Sequence, residues 1–68
     1  MKNKIKEERT KQNLTQIELA QKSGVARGVI SSLENGSRTV ITSKTMKKIS
    51  DALLVPINQL FFLDDNPL

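Results

Sequence analysis

Between Leu14 and Gly36 the chain sets two helix starts and two helix stops in one short stretch. Spacing this tight allows only helices of about two turns each, meeting at a sharp corner. Thr15 is a good N-cap, and Glu18 stands three residues on, the spacing of a capping box. Leu14 before the cap and Leu19 after it suit a hydrophobic staple, with Ile17 and Ala20 as further candidates for the buried face. Gly24 stops this helix, because only glycine takes a positive φ without cost. Ala26, Val29, Ile30 and Leu33 then recur at i, i+3, i+4 and i+7, which predicts a second helix over about 27–34 with one apolar face. Asn35-Gly36 ends it. Ala20 is small enough for the two helices to cross closely, and Val25, Ile30 and Leu33 fill the angle between them.

The flanking pattern is helical as well. A first helix is expected from Lys2 to about Gln12, with Ile5 as its main apolar contact and Asn13 as its stop. Ser37 to Ile41 reads as a loop anchored by Val40 and Ile41. Thr42 or Ser43 can cap a fourth helix, in which Met46, Ile49 and Leu53 repeat on one side. Pro56 suits the first turn of a short fifth helix that buries Ile57, Leu60 and Phe61. Only Val40-Ile41-Thr42 is rich in β-branched residues, so strand signals are weak. The expectation is an all-α bundle of five helices forming one domain over residues 1–63, followed by a flexible acidic tail, 64–68. A chain of 68 residues buries only about 60% of its unfolded surface, so it depends on good helix packing or on a partner.

Charge narrows the function. All 11 Lys and Arg and four of the seven acidic residues fall within residues 1–48, a net charge of +7, whereas Asp51, Asp64 and Asp65 leave residues 49–68 at −3. A basic body is a candidate polyanion binder. The chain has no Cys and no His, which removes disulfides and the commonest metal ligands and acid–base groups. Clustered carboxylates are also missing from the sequence, so no catalysis, metal or cofactor is expected. Met1-Lys2-Asn3-Lys4 is charged, but no apolar region follows it, so a secretory signal is not expected. No apolar run approaches the roughly 20 residues that span a membrane, and a cytoplasmic location is the expectation.

Two short helices joined through a tight turn form a helix-turn-helix, whose second helix enters the DNA major groove. The sequence resembles the XRE family of lambda-repressor-like DNA-binding domains. The matching residues are Leu14-Thr15-Gln16, Leu19-Ala20, Ser23-Gly24-Val25, Ile30-Ser31 and Leu33-Glu34-Asn35-Gly36, with weaker similarity through Ile49 to Phe61. The resemblance implies a five-helix bundle, bacterial or phage-encoded, that often acts as a homodimer on palindromic double-stranded DNA. It implies a sequence-specific transcriptional regulator, in the first instance a repressor, with the motif at about 16–35.

Roles follow residue by residue. Arg27, Gly28 and Ser32 match positions that usually face base edges, flanked by Ala26, Val29 and Ser31. An arginine can donate to guanine O6 and N7 together, a pair worth about 1–3 kcal/mol of discrimination. Its plainer alternative is a phosphate contact. Gly28 offers close approach; its plainer alternative is a tolerated helix glycine. Thr15 and Gln16 match phosphate-anchoring positions at a helix N-terminus, and Asn35, Ser37, Arg38 and Lys44 are further candidates for the DNA backbone or for plain solvent exposure. Arg9 and Glu34 match a structural ion pair of the family. Two positions depart from the pattern: Ala26 stands where a capping Ser or Thr is common, and Leu54 where Gly or Asn often ends the fourth helix.

Leu60-Phe61-Phe62-Leu63 is a continuous apolar run. One helix face accounts for Leu60 and Phe61, which leaves Phe62 and Leu63 for a homodimer contact or for the monomer core. A second class of function therefore stands beside DNA reading: an antitoxin or adaptor module whose main ligand is another protein. The basic reading helix and Gln16 favour DNA, and the apolar run favours a protein.

Overall fold

Helix boundaries are set by local chemistry wherever a polar side chain can satisfy an orphan backbone group. The computed structural model describes residues 2–37 and 40–62, and of Lys2 and Phe62 only the backbone. Its helices are α1 (Ile5–Lys11), α2 (Gln16–Ser23), α3 (Arg27–Asn35), α4 (Ser43–Leu53) and α5 (Ile57–Leu60). Two short strands, β1 (Lys2–Asn3) and β2 (Phe61–Phe62), pair antiparallel, with Asn3 opposite Phe61 and Lys2 opposite Phe62.

The capping box of α2 is complete: the Thr15 hydroxyl accepts from the Glu18 N–H at 3.0 Å and the Glu18 carboxylate accepts from the Thr15 N–H at 2.8 Å. Gly24 closes α2 in the left-handed region at φ 74°, its N–H donating to the Ala20 carbonyl. Thr42 caps α4 by accepting from the Thr45 N–H. Asn13 is left-handed at φ 58°, just past α1. Leu54, at φ 59°, ends α4 in the same region although it is no glycine and lies 84% exposed. That conformation costs a branched side chain about 1–2 kcal/mol. The turn is held because the Leu54 and Val55 N–H groups both donate to the Ser50 carbonyl.

The core gathers Ile5, Leu19, Val25, Ile30, Leu33, Ile49, Ala52, Leu53, Leu60 and Phe61, at least one from every helix. Full burial of each large apolar side chain contributes roughly 1.5–3 kcal/mol. α2 packs on both α3 and α4, α4 carries α5, and α1 lies against α3.

Several expectations are corrected. The first helix starts at Ile5, not Lys2, because Lys2 and Asn3 are drawn into the ladder with β2 and the Asn3 side chain accepts from the Ile5 N–H at 3.1 Å. Ile17 is 53% exposed and Ile57 is also exposed, so neither joins the buried face. Ala26 is exposed because its backbone is extended, at φ −59° and ψ 141°, and falls outside the helical phase of Ile30 and Leu33. Val40 is 74% exposed, and of the two expected anchors only Ile41 packs against the core. Phe61 is buried from β2, with α5 ending at Leu60.

Candidate nucleic-acid interface

α3 is laid down by its inner face. Ile30 and Leu33 are buried and Val29 leans against the core, which turns Arg27 and Gly28 fully outward and leaves Ser31 and Ser32 half-buried beside them. Nothing in the first turn of α3 is acidic. The positive end of its dipole and the Arg27 guanidinium therefore face solvent on the same side of the molecule. The Ser32 hydroxyl donates to the Gly28 carbonyl at 2.8 Å, one turn back.

The other end of α3 is tied to the rest of the bundle. Arg9 donates through Nε to Glu34 Oε2 at 2.7 Å and through Nη2 to Oε1 at 3.0 Å, a two-pronged ion pair. Its Nη1 donates to the Leu14 carbonyl at 2.6 Å, so one guanidinium holds α1, the start of α2 and the end of α3. The side chains are 13% and 5% exposed. Burial pushes the Glu34 carboxyl up, but hydrogen bonds from Arg9 and Gln16 and the charges of Arg9 and Lys6 together outweigh it and hold the group below its ordinary value. The hydrogen bond to Glu34 raises Arg9 against the effect of its own desolvation.

Gln16 sits at the first position of α2 and donates through Nε2 to Glu34 Oε1 at 3.1 Å. Thr15 beside it is engaged in the capping box. These two lie near the C-terminal end of α3, whereas Arg27 lies at its start, about 12 Å away along the axis. Asn35 closes α3, and its side chain accepts from the Ser37 N–H at 2.8 Å. Lys44 is exposed in the first turn of α4. Arg38 and Leu63 lie outside the described residues, as do the tail 64–68 and the Phe62 side chain.

Two supporting residues went unnoticed in the sequence. Asn3 donates through Nδ2 to the Leu33 carbonyl at 3.0 Å, closing an orphan group at the end of α3. Gln12 donates through Nε2 to the Leu53 carbonyl at 2.7 Å, doing the same for α4. An asparagine just ahead of a helix is a capping signal that could have singled out Asn3. For Gln12 no local pattern points 41 positions along the chain.

Among the described residues no group of three acidic side chains converges to hold a cation, and no helix is long and apolar enough to cross a membrane. Residues 5–60 of the 68 match a protein family described as Helix-turn-helix. No curated protein sequence matches the chain.

Proposed function

Because the chain belongs to the lambda-repressor-like (XRE) helix-turn-helix family of DNA-binding transcription regulators, we propose that it is a repressor reading one operator sequence through α3. One observation carries this reading: Ile30 and Leu33 bury one face of α3, while Arg27 on its flank and Gly28 opposite it are exposed, with no acidic residue in the first turn. Such a face can enter the major groove without repelling phosphate.

In this reading Arg27 donates to a guanine edge, with Gly28 and Ser32 beside it on the bases. Ala26, Val29 and Ser31 flank them. Thr15, Gln16, Asn35, Ser37, Arg38 and Lys44 meet the DNA backbone, and Glu34 holds the Gln16 amide at the end of α3 before DNA arrives. A homodimer on a palindromic site completes the reading, with Phe62 and Leu63 at the contact between copies. Sedimentation of the protein free and on DNA tests that part.

The decisive experiment is selection of binding sites from random duplex DNA, repeated with Arg27→Ala. The expected result is a palindromic motif in which the mutant loses discrimination at one symmetric position, by about 1–3 kcal/mol. A result with no enriched motif, and weak binding that falls steeply with salt, overturns sequence reading. It would shift the search to a protein ligand.

A further inference from the structure

Gly28 has no reason to be glycine inside this molecule. It is the second residue of α3, exposed, with a backbone that is not left-handed. Apart from its chain neighbours and the backbone of its own helix, a Cβ added there would meet no atom within 4 Å. Glycine within a helix is less stable than alanine, so the position forgoes stability with no internal return. Close approach of something outside the chain is the remaining physical reason.

The neighbouring surface says what kind of group approaches. Ser32 lies one turn on, and its hydroxyl proton points back onto the Gly28 carbonyl. The surface at 28 and 32 is thus a shallow notch, bare of side chain at one position and with its donor turned inward at the other. It offers room and aliphatic hydrogens, and neither side chain turns a donor outward. Among the groups on the major-groove edges of the base pairs, the one that protrudes and needs room without hydrogen bonding is the 5-methyl of thymine.

We propose that Gly28 is a specificity-determining residue whose missing side chain receives a thymine methyl next to the base pair met by Arg27. This rests on the docking of α3 in the major groove given above.

The test adds a methyl to one side of the contact and removes it from the other. Wild-type protein and Gly28→Ala are titrated against the selected operator, and against versions in which each thymine of a half-site is replaced in turn by deoxyuridine. Wild type is expected to favour thymine over uracil at one position by about fourfold, the value of one buried methyl. Gly28→Ala is expected to bind the thymine operator roughly tenfold to a hundredfold more weakly. At that same position its preference should invert, with uracil restoring most of the loss. Its melting temperature should rise by a few degrees, so the loss is not one of folding.

Three outcomes overturn the proposal: Gly28→Ala binding the thymine operator as wild type does, uracil at no position restoring its binding, or a selected half-site without thymine. In each of these wild type still selects a site, and the wider reading stands. If wild type selects no site at all, the docking of α3 fails and this proposal fails with it.

Discussion

α2 and α3 are nearly equal in length and share the turn at Gly24, yet they are held in opposite ways. α2 is stabilised from within its own sequence: a capping box at Thr15 and Glu18, an acid in its first turn, Lys22 in its last, and a left-handed glycine at its end. It buries one large apolar residue, Leu19. α3 shares the left-handed glycine at its end, Gly36 at φ 81°, but has no side-chain cap, no acid at its start and no base at its end, and it carries Gly28 in its first turn. What holds it is tertiary: Ile30 and Leu33 in the core, Asn3 on the Leu33 carbonyl and Arg9 on Glu34. An acidic first turn would stabilise an isolated helix but repel DNA phosphate. On the proposed reading, in which α3 presents its start to a polyanion, it gains by taking its stability from its far end.

The largest expected effect comes from cutting that far end loose. Arg9→Ala leaves Glu34 buried without its ion partner, and the loss should be about 3–5 kcal/mol, measured by urea unfolding near neutral pH. That is a large share of the stability of a domain this small. A loss no greater than that of the Thr15 cap would mean that α3 needs no such tether, and the contrast with α2 would collapse.

Acid should undo the same tether more gently. The folded Glu34 carboxyl lies below its ordinary value, so its contribution to stability is fully present above the unfolded value, about 4.3, and is lost as pH falls through the folded one. Unfolding free energy should decline on acidification below about pH 5. Glu34→Gln should flatten that part of the profile, at a lower starting stability. An unchanged slope in the variant would assign the acid sensitivity to other carboxylates.

Within α2 the local devices set the scale. Thr15→Ala should cost about 1 kcal/mol, since the hydroxyl that accepts from the Glu18 N–H is lost while the residue 15 backbone N–H can still donate to the Glu18 carboxylate. The same contrast explains what was legible in the sequence. Both ends of α2 and the start of α4 are written within four residues of the groups they satisfy, so Thr15 and Gly24 could be read directly and Thr42 as one of two candidates. The inner face of α3 was also legible at Ile30 and Leu33, because burial follows the helical period. Periodicity failed where the backbone leaves the helix, as at Ala26, and where pairing is distant, as for Lys2–Asn3 with Phe61–Phe62. Arg9 and Glu34 are 25 positions apart, and only family resemblance links them in the sequence. The outward residues at the start of α3, Arg27 and Gly28, satisfy no group of the described chain through a side chain, so no local rule marks them.

The smallest effect is the one that touches the missing cap itself. Ala26 already has the extended backbone of an N-cap, at φ −59° and ψ 141°, and lacks only an oxygen to receive a free N–H of the first turn. Ala26→Ser supplies it and should add about 0.5–1 kcal/mol, a rise in melting temperature of roughly 2–8 °C. The Val29 N–H, which now donates to the Ala26 carbonyl at 3.0 Å, is one group the new oxygen would compete for. A gain in this range would show that the start of α3 is left uncompensated by its own sequence, in contrast to α2. No gain would mean that the first turn is already satisfied by its tight carbonyl contacts, and that α2 and α3 differ in where their anchors lie and not in how well their ends are closed.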